Sequence, residues 1–203
     1  MKWPLCYVAC ILRHFPGREL YGDIAKCIDA LERDCETVGD GMAWEKSVSI
    51  AVLLRFIAAA NLGWDLPFKL CKADEAKGAD IVVMNLGPKV IKVEEAKKVI
   101  DDHKVQFRSN TLVLYVPTEA KLQQFDGFCV RYQNSEVRNV CGFQCKDNNR
   151  DADGLVPEWI TQGGHLLRSD APTLCRSVGQ NAQGWTYYNA EDTDDFLGWS
   201  LRG

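Results

Sequence analysis

The sequence has no Cys-x-x-Cys pair, although nine of its 203 residues are cysteines. The closest pairs, Cys6/Cys10 and Cys141/Cys145, are four residues apart, and no histidine is near enough to complete a zinc pattern. Most cysteines lie in apolar runs, as Cys129 does in GFCVRY, where a thiol behaves as a small buried hydrophobe. This usage predicts reduced, structural cysteines and an intracellular working environment, rather than a zinc site or a disulfide scaffold.

The chain also lacks a strong charge of either sign. Its 24 Lys and Arg against 28 Asp and Glu give a formal net charge of −4, with a pI near 5.4. An acidic total does not indicate a nucleic-acid binder, but it does not exclude one, because binding needs only a local basic patch. There is no internal repeat, low-complexity linker or clear domain boundary, so the length suits one domain with a helical appendage.

The N-terminus lacks the features of a signal peptide or a membrane span. The apolar run in MKWPLCYVACILRHFPGREL is interrupted by Pro4 and Tyr7, is too short to cross a bilayer and is followed by no small-x-small cleavage site. A core-packing helix is the better interpretation, and residues 19–36 follow it as an amphipathic helix. We therefore expect residues 1–39 to be a helical extension packed on a core domain at 40–203, with no membrane partner.

Within that core domain, residues 42–63 form a long and almost wholly apolar helix in the prediction. Buried strands are predicted at 80–86 and 111–117, with a charged helix or irregular excursion at 93–104 between them. Two further strands, 123–132 and 137–146, flank the polar turn QNSE and predict an antiparallel hairpin. The sequence thus predicts an α/β fold, a mixed central sheet flanked by helices.

After the hairpin and the charged loop DNNRDADG, an amphipathic helix is predicted with Pro157 in its first turn. Its packing residues would be Leu155, Trp159, Leu166 and Leu167. A short final strand or helix containing GWTYY completes the predicted order of elements, and its aromatics are expected in the core.

The second hairpin strand ends on polar residues. Side chains alternate along a strand, so Gln144 and Lys146 share one face. Phe143 and Cys145 then point to the other face, and Cys145 is predicted to lie in the core. A solvated strand end is the simple interpretation of Lys146, and an active site is the other. A cysteine hydrolase built from Cys145 and His165 is a weaker alternative.

The register of the hairpin decides which residue accompanies this pair. A turn centred on Ser135 with an odd number of loop residues places Asp126 opposite Gln144 and gathers the polar side chains on one surface. A two-residue turn at 134–135 places Asp126 opposite Phe143 and scatters them. The sequence leaves both registers open.

The long helix offers a further carboxylate, Glu45. It heads a stripe that should face the sheet, where a carboxylate is costly unless it is paired or bound to a cation. The positions that follow it on this stripe are Val48, Ser49, Val52, Leu53 and Phe56. The alternative is a carboxylate favoured only by the helix dipole.

A helix glutamate, a strand aspartate and Gln-x-Lys ending the adjacent strand resemble the PD-(D/E)XK nuclease core. The segments WEKSVSIAVLLRFIAA, FDGFCV, GFQCKD and FLGWSLR resemble the C-terminal nuclease-like module of Crinkler and retrotransposon-hot-spot type effectors, over most of residues 40–202. Those proteins usually carry an upstream P-loop NTPase. The present sequence has no G-x-x-x-x-G-K-[ST], so the resemblance is to the nuclease-like module alone.

The resemblance implies a restriction-endonuclease-like αβββαβ core and Mg²⁺-dependent cleavage of double-stranded DNA, with Mn²⁺ as a substitute metal. Asp126, Gln144 and Glu45, with the backbone carbonyl of Cys145, would bind the metal, since hard cations prefer oxygen ligands. Lys146 would orient or activate the attacking water. The family further implies delivery into a host cell and action on nuclear DNA, with host nuclear proteins as further partners.

The sequence departs from the commonest family pattern at Gln144, where Asp or Glu is usual. An amide oxygen can ligate a metal but supplies less charge, so the expected metal affinity is weaker. The alternative function is therefore a catalytically weak or inactive module that binds DNA or a host protein. In the following loop, Arg150 is a candidate phosphate contact.

Overall fold

The computed structural model describes residues 40–117, 122–146, 152, 154–168, 184–188 and 192. The predicted extension at 1–39, the loop that carries Arg150 and the segment FLGWSLR lie outside the described residues. The described helices are α1 (Asp40–Leu62), α2 (Ala73–Ala76) and α3 (Val93–His103), with 3₁₀ turns at Pro67–Lys69 and Lys104–Gln106. None of them is long and apolar enough to cross a membrane.

The described strands form one six-stranded mixed sheet in sequence order. They are β1 (Asp80–Asn85), β2 (Thr111–Val116), β3 (Gly127–Gln133), β4 (Glu136–Lys146), β5 (Gly164–Arg168) and β6 (Trp185–Tyr188). β1 runs parallel to β2, β2 to β4 form an antiparallel meander, and β5 and β6 run parallel to β4. The predicted α/β class is therefore confirmed.

Each face of the sheet carries its own hydrophobic core. On the first face, the apolar stripe of α1 packs against alternate residues of the strands, among them Leu114, Phe143 and Cys145. On the second face, α3 packs with the intervening strand residues, including Tyr115 and Leu166. The two-residue period of a strand produces this division, and it fixes the face on which each candidate site residue lies.

The prediction of an amphipathic helix after the hairpin is wrong. The described residues from 154 to 163 form turns, and Leu166 and Leu167 belong to β5. The physical reason lies in Gly163 and Gly164: Gly163 has a φ of +78°, which ends regular structure. A Cβ at Gly164 would stand 2.7 Å from Val156 and 2.8 Å from Trp185, so the strand can start only on a glycine.

The hairpin combines features of both predicted registers. Its turn is the two-residue one, because Asn134 and Ser135 have φ values of 56° and 59° while Gln133 pairs with Glu136. A bulge then leaves Arg138 as an extra residue in β4, so Arg131 pairs with Asn139. Between Arg131 and the start of β3 the strands follow the register that the odd-numbered turn would give, with Gly127 opposite Phe143.

Candidate functional site

Asp126 immediately precedes β3 and is fixed to the end of β4 by two hydrogen bonds. Its backbone N–H donates to the carbonyl of Phe143 at 2.8 Å. Its Oδ2 accepts the backbone N–H of Cys145 at 2.6 Å. Asp126 therefore lies alongside Gln144: its backbone N–H bonds Phe143, and its half-buried carboxylate bonds the N–H of Cys145. A hydrogen bond of this length to an ionised acceptor is of the strong, charge-assisted kind.

Gln144 and Lys146 lie on the second face of the sheet, as the alternation predicts. Gln144 pairs with Leu166, a residue of the second-face core, and its side chain is only 3 % exposed. Lys146, the last residue of β4, is half-buried. Cys145 between them joins the first-face core beneath α1.

Glu45 lies near the start of α1, on the first face. The stripe that follows it is buried as predicted, with Val48, Val52 and Phe56 each inaccessible to solvent. Glu45 itself is half-buried. Its carboxylate is close enough to Cys145 to act on that thiol electrostatically. All four predicted site residues thus lie at the same end of the sheet, but Glu45 and Gln144 approach it from opposite faces.

The pKa of the Cys145 thiol reports the electrostatic potential at this end of the sheet. Burial raises it well above its ordinary value, and the negative charges of Asp126 and Glu45 raise it further, while Lys146 lowers it. A thiol in this environment stays protonated and is a poor nucleophile. The cysteine-hydrolase alternative therefore has no support from Cys145.

The other member of that alternative, His165, is also engaged. Its Nε2 donates to the carbonyl of Gln162 at 3.2 Å, and its Nδ1 accepts from the hydroxyl of Tyr188 at 3.2 Å. The ring stacks on Phe68 with centroids 4.5 Å apart. Burial lowers the pKa of His165 to about 4. It is a neutral structural residue near neutral pH.

Arg168 is a neighbour of the site that the sequence analysis missed. It is the last residue of β5 and pairs with Lys146, so the two cations lie side by side on the second face. Its side chain is only 1 % exposed. The signal was present in the sequence. If GHLLR is interpreted as a strand, it ends on a cation two residues after Leu166, just as β4 ends on a cation two residues after Gln144. The predicted helix concealed it.

No protein-family model, curated protein or solved structure matches the chain. Its function must therefore be inferred from the site itself. Within the part of the chain that the structure describes, no three His, Cys, Asp or Glu side chains group closely enough to hold a metal ion by themselves. Any metal held here would thus need the amide of Gln144, a backbone carbonyl or water besides the carboxylates of Asp126 and Glu45.

These donors fit Mg²⁺ in chemical type. Each is an oxygen, and a magnesium site commonly combines one or two carboxylates with several waters. The bond from Cys145 N–H to Oδ2 of Asp126 also holds one carboxylate in a fixed orientation, which reduces the entropy cost of binding a ligand there.

Proposed function

We propose that this chain is a Mg²⁺-dependent DNA endonuclease of the PD-(D/E)XK type. The observation that carries the proposal is the Asp126 carboxylate, bonded to the backbone of Cys145 beside Gln144, at the strand end that also carries Lys146. Asp126, Gln144 and Glu45, with the Cys145 carbonyl, would hold the ion. Bound there, Mg²⁺ would lower the pKa of water and stabilise charge on the phosphate.

The chain's own residues would have separate tasks in phosphodiester hydrolysis. Asp126 would keep its orientation through the Cys145 N–H and so position the reacting groups. Lys146 would hold the attacking water and stabilise the charge that develops on the phosphate oxygens. The adjacent Arg168 would add positive charge to the same face of the sheet, where a DNA phosphate is expected.

The restriction-endonuclease-like αβββαβ order is part of this proposal. It is supported by α1, which packs on the sheet that contains the meander β2 to β4, and by β5, which runs parallel to β4. The helix that this order places between β4 and β5 is not found among the described residues of that connection, which form turns. Double-stranded DNA is the proposed substrate. Action in the nucleus of a host cell after secretion or delivery, with host nuclear proteins as partners, follows from the family resemblance alone.

A plasmid-nicking assay tests the enzyme. We expect supercoiled DNA to be nicked with Mg²⁺ or Mn²⁺ and not with EDTA. Asp126→Asn keeps an oxygen that can accept the Cys145 N–H but removes the charge, and Lys146→Met keeps most of the side-chain volume. Each should lower the rate by about 100-fold or more, as losses of positioned catalytic groups commonly do.

Two exposed residues of α3 provide matched controls. Asp102→Asn and Lys98→Met make the same chemical changes far from the site and should leave nicking unchanged. Nicking that survives both site substitutions would come from a contaminant, and the endonuclease proposal would fail.

A second experiment tests the metal site without relying on activity. Gln144→Glu is isosteric and places a carboxylate where the side chain is 3 % exposed. Burying that charge should lower the stability of the metal-free protein, and the cations of Lys146 and Arg168 on the same face would offset part of the cost. If the residue faces the ion, Mg²⁺ should raise the Tm of Gln144→Glu more than that of the wild type, since a ligand stabilises the state that binds it. If Mg²⁺ raises the Tm of both proteins equally, residue 144 does not bind the ion.

A second function is favoured by the position of Gln144. Because its nearly inaccessible amide lies on the face opposite Glu45, the two side chains approach the strand end from different sides. The alternative is a module that binds DNA or a host protein without cutting. Retained DNA binding in a mobility-shift assay, with no cleavage in either metal, would favour this alternative.

A further inference from the structure

A pocket of about 700 Å³ opens on the first face of the sheet, where the segment that joins α1 to α2 forms much of its lining. Its wall also includes Asn139, near the start of β4, and Tyr188 at the end of β6. Asn139 precedes Lys146 by seven residues, or roughly 23 Å along the strand. The other end of the pocket is nearer to the candidate nuclease site, because Tyr188 pairs with Leu167, which pairs with Cys145 on the same face. The lining includes none of the candidate nuclease residues, and the volume lies within the range usual for small-ligand sites.

The floor of this pocket is apolar and held in an unusual conformation. Leu66, Phe68 and Leu70 line it and are buried. Phe68 and Lys69 have φ values of 61° and 51°, in the left-handed region that non-glycine residues rarely adopt. Stacking of Phe68 on His165 stabilises this turn. Because such backbone is costly and recurs at ligand sites, its position beneath a pocket indicates a binding role.

The rim of the pocket favours an anion. Lys69 and Lys72 line it and are exposed. The nearby carboxylate of Glu75 is already compensated: one oxygen accepts from Arg131 at 3.0 Å, and the other accepts the backbone N–H of Lys72 at 3.0 Å. The charge that Glu75 presents to a ligand is therefore much reduced. Asp65 also lines the pocket, but Arg55, Lys69 and Lys72 together leave an excess of positive charge in the lining, which favours a phosphate.

Three further lining groups suit a flat ring with hydrogen-bonding edges. The side-chain amides of Asn139 and Gln162 can each donate and accept. Tyr188 presents a half-buried aromatic ring. We propose that this pocket binds a small anionic ligand with a planar, hydrogen-bonding ring, the chemistry of a nucleoside monophosphate. The apolar floor receives the ring, and the rim lysines hold the phosphate.

Isothermal titration calorimetry on the full chain tests this site with AMP, GMP, CMP and UMP as probes. We expect saturable binding of at least one of them, and binding of the matching nucleoside or of inorganic phosphate that is weaker by about tenfold or more. Lys69→Glu should weaken nucleotide binding by a similar factor and leave nucleoside binding unchanged. Lys98→Glu, the same charge reversal on α3, should change neither.

Alkylation of Cys71 provides an independent measurement. This half-buried thiol lines the pocket, and burial raises its pKa to about 11. Its reaction with N-ethylmaleimide at alkaline pH, followed by peptide mass spectrometry, should slow when the bound nucleotide is added. Failure of all four nucleotides to bind would overturn the proposal. So would equal weakening by Lys69→Glu and Lys98→Glu, or unchanged labelling of Cys71 at saturation.

Discussion

His165 makes the stability of this protein depend on pH in a way that can be calculated. The side chain is 4 % exposed, lies against Phe68 and bonds Gln162 and Tyr188 through its two ring nitrogens. Burial disfavours the charged imidazolium and lowers the pKa from 6.5 to about 4. In the unfolded chain the same ring is in water and has its ordinary pKa.

The direction in which stability changes with pH follows from the protons bound by the folded and unfolded chains. Between pH 6.5 and about 4 the unfolded chain binds a proton on this ring that the folded chain does not bind. The contribution of His165 to stability is therefore complete above pH 6.5 and is lost as the pH falls through this interval. Each pH unit lowers the free energy of unfolding by about 1.4 kcal/mol, so the whole interval corresponds to about 3 kcal/mol.

Urea unfolding at about pH 7 and about pH 5 measures this effect. The wild type should lose about 2 kcal/mol more than His165→Gln between the two pH values. Glutamine retains an N–H for the Gln162 carbonyl, and any constant cost of the substitution cancels in the comparison. If the wild type and His165→Gln lose equal stability, the folded protein protonates this ring and the argument from burial is wrong.

Two substitutions test the packing of the sheet. Gly142→Ala would place a Cβ 2.3 Å from the ring of Phe125, which is stacked on Trp185 with centroids 5.2 Å apart and has little room to move. We expect the free energy of unfolding in urea to fall by about 1–3 kcal/mol. In the double variant with Phe125→Leu the loss should be smaller than the sum of the two single losses. If the losses add, the new Cβ and the Phe125 ring do not conflict. Arg131 is 6 % exposed, and its guanidinium is bonded to three side chains. Arg131→Met should therefore lower stability by about 1–3 kcal/mol. As a control, Arg138→Met breaks an exposed ion pair and should lower stability by under about 0.5 kcal/mol. Equal losses of stability in Arg131→Met and Arg138→Met would show that the buried bonds of Arg131 do not stabilise the fold.

The sequence predicts α1 and the strands β1 to β4 because each has a clear period or composition, although β3 begins at Gly127 rather than at residue 123. The short helix α2 was not predicted. The apolar helix at 42–63 and the strands at 80–86 and 111–117 match α1, β1 and β2 within one or two residues at either end. β5 escaped prediction because Leu166 and Leu167 also fit a helical stripe that begins near Pro157. Close packing of Gly164 against Trp185 favours the strand. A tertiary contact of that kind cannot be derived from local periodicity.

The candidate site, too, could be predicted only in part from the sequence. Strand alternation correctly predicts that Cys145 lies in the first-face core and Gln144 on the second face. It could not predict the bond from Cys145 N–H to Asp126, because that contact depends on the register of the whole hairpin. Nor could it predict Arg168 beside Lys146 while the preceding residues were interpreted as a helix.

The register at Asp126 is set at the opposite end of the hairpin. The left-handed residues Asn134 and Ser135 form a two-residue turn, which alone would place Asp126 opposite Phe143. The extra residue Arg138 moves the pairing by one position and brings the Asp126 carboxylate beside Gln144. Because a shift of one residue exchanges the two faces of a strand, the bulge acts on a contact roughly 20 Å away. The extra backbone position at Arg138, rather than its side chain, therefore sets the geometry of the candidate site as much as the buried residues around that site do.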